Sequence, residues 1–143
     1  MATITSANAI VMLSIPGLFD VPQQIQGFSA DNIYTQDTLE VTQTSMGVDG
    51  KLSGGFVFTA VSQTFTLQAD SPSNVIFDTW AQNQRLLKDV YVAQGRITLP
   101  SIGFQYVQTK GFLISYPPLP SAAKTLQPRA YQIQWESVVP QPN

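Results

Sequence analysis

Only one stretch of this chain has helical spacing. Nearly everything else is short, β-branched or alternating, and the runs stop at Pro or Gly. Such punctuation predicts antiparallel strands joined by turns. The clearest alternation runs from Val61 to Gln68. Val61, Gln63, Phe65 and Leu67 fall on one face, and Ser62, Thr64, Thr66 and Gln68 on the other. A period of two predicts a half-buried strand. Its solvent face is polar yet carries no charge.

The preceding stretch, Leu39 to Phe58, reads as a long hairpin. Two β-like arms flank Asp49-Gly50, the pair favoured in a type I′ turn, where both central residues take positive φ. The second arm holds Gly54-Gly55, and glycine inside a strand marks a bulge or a close approach by another backbone. After Gln68 comes the helix, expected over about Pro72 to Lys88. Ser71 is the expected cap and Pro72 the first helical residue. Val75, Ile76, Trp80, Asn83 and Leu87 supply its stripe, and Arg85 and Lys88 complement the dipole in its last turn.

The remaining runs complete the outline. Ala7 to Ile15 stops at Pro16-Gly17 and reads as a strand. Pro22 to Phe28 is a candidate second strand, and Ser29 to Asp37 a loop. Val90 to Leu99, Phe104 to Tyr116 and Tyr131 to Val139 read as three more strands. Pro117 to Pro128 is a Pro-rich connection, and residues 140–143 are expected to be a loose tail. Six or seven strands and one helix predict a mainly β, α+β fold. The expected form is an antiparallel sandwich or barrel with the helix on its flank.

At 143 residues the chain has the length of one ordinary domain. Charged residues make up 11%, against about a quarter in an average chain. Solubility rests instead on neutral hydrogen-bonding groups, including sixteen Gln. With 43% hydrophobic residues, disorder is not expected. A net charge of −2 with seven Lys and Arg lacks the basic footprint of a nucleic-acid binder. The absence of His and Cys excludes thiol catalysis, Ser-His triads, disulfides and nearly all zinc sites. No metal or other cofactor is expected. The longest apolar run, Ala9 to Leu13, is too short for a membrane helix, and Met1 to Ser6 lacks a signal peptide's basic start.

No catalytic constellation emerges. The nine acids are scattered, and none falls in a recognised signature. A hydrolase would need two of them brought within about 10 Å in a pocket. Gly47-Val48-Asp49-Gly50-Lys51 lacks phosphate-loop spacing and opens no helix, so it reads as a hairpin tip. The aromatics sit at strand or helix spacing and read first as core.

The long hairpin is what a plain globular reading explains least. A lone two-stranded ribbon is marginally stable in water and leaves its edges unpaired. Either identical subunits cover it, which weak charge permits, or it stands as a mobile surface arm. These residues alone favour neither.

Most of the chain resembles the tail tube proteins of tailed bacteriophages, especially contractile ones. The resemblance rests on Gln43 to Lys51 (QTSMGVDGK), then Phe65 to Asn74 (FTLQADSPSN) leading into the helix. It continues in Gly111-Phe112-Leu113 and Arg129 to Glu136 (RAYQIQWE), with the matching order of elements. It implies a non-enzymatic structural protein related to type VI tube proteins. Such subunits form stacked hexameric rings, each lending strands to a continuous inner barrel through which DNA passes. The expected partners are further copies, a sheath, a tail terminator, a baseplate and a tape-measure protein. The expected location is the tail of a virion assembled in the host cytoplasm, with no membrane insertion.

On that resemblance, Ser62, Thr64, Thr66 and Gln68 are candidates for the lumen, joined by Glu40, Thr42 and Thr44. Val48, Asp49, Gly50, Lys51, Leu52, Gly54 and Gly55 are candidates for contacts between subunits or rings. Two alternatives stay open: a type VI or pyocin-like injection tube, and a monomeric ligand-binding β-sandwich.

Overall fold

The computed structural model describes residues 9–28 and 34–142. Its strands are β1 (Ile10–Ile15), β2 (Phe19–Gln24), β3 (Tyr34–Gln36), β4 (Thr42–Met46), β5 (Leu52–Phe56) and β6 (Val61–Leu67). The helix α1 (Asn74–Leu87) follows, then β7 (Ala93–Leu99), β8 (Phe104–Ser115) and β9 (Arg129–Pro142). Seven strands form one antiparallel sheet in the order β2-β1-β7-β8-β9-β6-β3, and among the described residues β4 and β5 pair only with each other. The fold is thus mainly β with one flanking helix. The sheet is open within the chain, with β2 and β3 as its edges, where a closed barrel was one of the expected forms.

The alternation of β6 appears in full. Val61, Gln63, Phe65 and Leu67 are buried, and Ser62, Thr64 and Thr66 are half-buried between them. Tyr131, Ile133 and Trp135 of β9 and Val11, Leu13 and Ile15 of β1 join the same core. Helix α1 covers it with Ile76, Phe77, Trp80 and Ala81. Phe77 stacks on Tyr131 with ring centroids 4.2 Å apart. The expected stripe is therefore shifted: Val75 and Leu87 face solvent, 63% and 62% exposed.

The start of α1 also differs from the expectation. Ser73, not Ser71, is the flanking residue, and Pro72 lies before the helix. The Ser71 hydroxyl accepts from the Ser73 N–H and donates to the Gln26 carbonyl, while the Ser73 hydroxyl accepts from the Gln26 N–H. Both serines thus hold the segment 25–28, which steps across one end of the sheet. Ile25 N–H bonds the Val11 carbonyl, and Gln68 N–H bonds the Gly27 carbonyl. Gly27 has φ +73, and a Cβ there would lie 2.6 Å from the Cβ of Ser71. A side chain at this crossing is excluded twice over.

Four further expectations change. The second strand begins earlier, at Phe19, because residues 25–28 form the crossing segment. Tyr34–Gln36, expected as loop, is a strand held by the hydrogen-bonding edge of β6; residues 29–33 of that loop lie outside the described residues. Pro140 to Pro142 of the expected loose tail belong to β9, because they lie opposite Phe104 to Tyr106, and Asn143 lies outside the described residues. Prolines are tolerated where a strand has a free side.

The hairpin tip is the fourth. Gly50 N–H bonds the Gly47 carbonyl, Gly47 N–H bonds the Lys51 carbonyl, and only Gly50 has positive φ, at +83. This is a three-residue loop with a left-handed Gly after a turn, not type I′. The Asp49 side chain accepts from the Lys51 N–H, which favours this turn. The Thr42↔Phe56 to Met46↔Leu52 register runs without a bulge, so Gly54-Gly55 marks none.

Candidate functional site

Two surfaces stand out: the solvent face of the sheet around β6 and the free β4–β5 ribbon. On the sheet, Ser62 lies opposite Gln134, Thr64 opposite Gln132 and Thr66 opposite Ala130. Thr35 of β3 lies across from Thr64 on the other side. Opposed residues share a face. The result is a patch of hydroxyls and amides, bordered by Ala130 opposite Thr66 and Phe112 opposite Gln134. Charge reaches its border at Asp37, whose N–H donates to the Ser62 carbonyl at 3.0 Å, and at Lys110 and Glu136, which lie 3.9 Å apart. Gln68 lies just beyond β6; its carbonyl accepts from the Asn74 amide at 3.0 Å and its side chain is exposed.

The ribbon is exposed along both strands. Thr42, Thr44 and Met46 share a face with Phe56, Gly54 and Leu52. Met46, Leu52 and Phe56 are each more than 60% exposed there. Glu40 lies before β4, and its carbonyl accepts from the Thr59 hydroxyl. Val48 is fully exposed at the tip, beside Asp49, Gly50 and Lys51. The structure thus brings Ser62, Thr64 and Thr66 together on one surface and places Thr42 and Thr44 on another, among apolar side chains. Between the ribbon base and the sheet lies an open cavity of about 940 Å³, with Leu39, Phe56, Phe58, Tyr106, Gln108 and Val138 in its walls. Phe58 is 93% exposed, so this space is a gap under the ribbon rather than a closed cleft.

Beneath the neutral face sits a polar cluster that composition and periodicity do not reveal. The Trp135 indole N–H donates to Gln63 Oε1 at 3.0 Å, and the Gln108 amide donates to the same oxygen. Indole is a donor only, so it fixes which way both amides point. Trp135 itself lies against Gly95 and Gly111; a Cβ on Gly111 would fall 2.5 Å from its ring.

At the other end of β9, Arg129 is buried. Its guanidinium donates to both carboxylate oxygens of Asp78 on α1, at 2.8 and 3.3 Å, and to the Pro117 carbonyl at 2.7 Å. The hydrogen bond it donates to Asp78 is the main reason its pKa is raised. Next to it, burial pushes the Tyr131 phenol well above its ordinary value, and its hydroxyl donates to Asn74 Oδ1 at 2.8 Å. These contacts lock helix, sheet and Pro-rich connection into one body. Among the described residues, no three His, Cys, Asp or Glu side chains converge in a metal-sized group. No helix is long and apolar enough to cross a membrane.

The family model described as tail fiber protein gp32 matches residues 2–139. The chain belongs to that family of tail structural proteins. Comparison with curated proteins finds no match. Solved structures share the fold over its whole length. A chain of the sheath-tube complex of an extracellular contractile injection system (PVC) in the extended state superposes with TM-score 0.63 at 15% identity, covering 99% of this chain and 93% of that one. The tube terminating cap of the anti-feeding prophage gives 0.62 at 14% identity, covering 100% and 93%. The PVC sheath/tube terminator gives 0.63 at 16% identity, covering 99% and 98%. The phage-tail resemblance of the sequence thus holds at the level of fold and family.

Proposed function

We propose that this chain is a tail tube subunit that assembles into stacked hexameric rings forming the conduit for DNA. The observation that carries the reading is the β4–β5 ribbon. It is exposed on both faces and both edges, on a body whose fold matches chains from tube, terminator and cap complexes. A ribbon in that state gains stability by completing a sheet, and further copies of this chain supply the strands.

The dimensions suit a conduit. Six subunits lending about four strands each give about 24 strands; at ~4.8 Å spacing and a tilt of about 40° the backbone circle is roughly 45–50 Å across. Inward side chains leave roughly 40 Å, ample for a duplex about 20 Å wide. The neutral patch around Ser62, Thr64 and Thr66, flanked by Gln68, suits the bore. Hydroxyls and amides give phosphates no cation to hold, so DNA slides without being trapped. The ribbon tip, Val48 to Leu52, reaches toward a neighbouring copy or ring. The partners on this reading are sheath, terminator, baseplate and tape-measure proteins. Its place is the tail of a virion assembled in the host cytoplasm, and its role is structural rather than enzymatic.

Electron microscopy of the purified chain tests the class. Rings or tubes support the reading; uniform small particles at high concentration overturn it in favour of a monomeric ligand-binding module, and elongated spikes would favour a fibre, the word in the family's description. The type VI or pyocin-like alternative shares the same assembly and differs in cargo. Thr64→Lys with Thr66→Lys probes the bore. Tubes that assemble but eject DNA at least about tenfold more slowly are expected, and unchanged ejection counts against a neutral lumen.

A further inference from the structure

The ribbon has two unlike faces, and their chemistry assigns them opposite roles. On one, Thr42 and Phe56, Thr44 and Gly54, and Met46 and Leu52 lie opposite each other. Phe58 extends this face at the base, its ring packing edge-on against Phe56 at 4.8 Å. Large side chains that are 63 to 93% exposed line it from tip to base. On the other face, Gln43 lies opposite Gly55 and Ser45 opposite Ser53. Between Lys51 at its tip and Val41 and Val57 at its base, that face holds no apolar side chain and no charge. Its composition repeats that of the sheet's neutral patch.

We infer that the ribbon enters the assembly with Gln43, Ser45, Ser53 and Gly55 toward the bore. Met46, Leu52 and Phe56 then seat on a second copy of this chain. The inference rests on the tube reading above and refines its bore: Thr42 and Thr44 leave the lumen set and join the subunit contact.

Three observations favour a second copy as the occupant. Among the described residues nothing covers the apolar face: the body beneath Phe56 and Phe58 is an open gap, and Met46 and Leu52 lie further out at the tip. Charges near the ribbon are confined to Glu40 at the base and Asp49 and Lys51 at the tip, so nothing selects a charged partner. Finally, both outer edges of the ribbon are unpaired, as strand addition between copies requires. Seated on a different part of the neighbour, the ribbon makes a head-to-tail contact, the kind that closes rings. Gly54 lies in the middle of the apolar face, where a Cβ would crowd the Thr42 methyl at 3.3 Å. It leaves a notch for an incoming side chain.

The chain has no cysteine, so single thiols report cleanly. Leu52 and Ser53 are adjacent in sequence, equally far along the ribbon, and on opposite faces. Leu52→Cys and Ser53→Cys are each treated with a small maleimide, as monomers and as assembled tubes. Both monomers label at similar rates. In tubes, labelling of Leu52→Cys falls at least about tenfold, while Ser53→Cys stays within about threefold of its monomer rate, since thiol reactivity follows access. Equal labelling at both positions, or protection of Ser53→Cys, overturns the inference. As a second readout, Phe56→Glu gives folded monomers without tubes, and Ser53→Glu still assembles; the reverse pattern overturns it equally. Failure of the unmodified chain to form rings is a separate outcome, which sinks the tube reading itself.

Discussion

The body and the ribbon are built from the same residue types but bury them differently. In the body, the main apolar faces meet: β6 and β9 present Phe65, Leu67, Tyr131 and Ile133 to the core that α1 covers. In the ribbon, Met46, Leu52 and Phe56 stay more than 60% exposed. The body's stability is therefore internal, whereas the ribbon's depends on what it joins. A core substitution should cost the monomer, and a ribbon substitution should cost only the assembly.

The sharpest test is Trp135→Ala. It removes the ring that lies across Gly95 and Gly111 and strips Gln63 Oε1 of its indole donor. A loss of about 3–5 kcal/mol in monomer stability is expected by denaturant titration. A loss under about 1 kcal/mol would mean that the body is not held from within.

Next comes Asp78→Ala, which leaves the buried Arg129 guanidinium with only the Pro117 carbonyl. About 2 kcal/mol is expected, less than for a fully buried pair because Asp78 is 42% exposed on its side chain. Recovery by Asp78→Ala combined with Arg129→Met would show that the stranded charge, rather than lost packing, carries the cost.

Tyr131→Phe should cost about 1 kcal/mol through the lost bond to Asn74. It also has a pH signature. Burial raises the phenol's pKa above its ordinary 10.0, so folding favours the neutral form. That contribution is fully present below pH 10 and is lost as the pH rises beyond it, because only the unfolded chain then ionises. Thermal melts across this range should fall less steeply for Tyr131→Phe than for the parent. Tyr34, raised by burial and by Tyr106, keeps some slope in both.

The smallest expected effect on the monomer is the most telling. Leu52→Ser should change its stability by less than about 0.5 kcal/mol, because the side chain is 63% exposed. The same change should abolish or greatly slow tube formation, followed by light scattering. A destabilised monomer would instead show the ribbon to be part of the body.

Where local pattern and burial agree, the sequence is a good guide. The Val61–Leu67 alternation, the single helix and the Asp49-Gly50 reversal were all legible. What escaped was set by pairing across long distances. Tyr34–Gln36 is a strand only because β6 offers it an edge, and Pro140–Pro142 joins β9 only because β8 runs long enough to meet it. Val75 and Leu87 have helical spacing with Ile76 and Trp80, but Phe77 and Ala81 turn the buried stripe the other way. Arg129 reads as one of seven cations until its burial beside Asp78 is seen. In the candidate site, alternation found the neutral face of β6. The ribbon's two faces needed the β4–β5 register, since the apolar side is shared between strands: Met46 on one, Leu52 and Phe56 on the other.

The two free rims of the main sheet are poor landing strips. β2 carries Pro22, which offers no amide hydrogen, and β3 is only three residues long. A stray strand gains few bonds by lying down on either. Such rims disfavour haphazard zipping into aggregates, and on the proposed reading they leave β4 and β5 as the edges open to orderly strand addition.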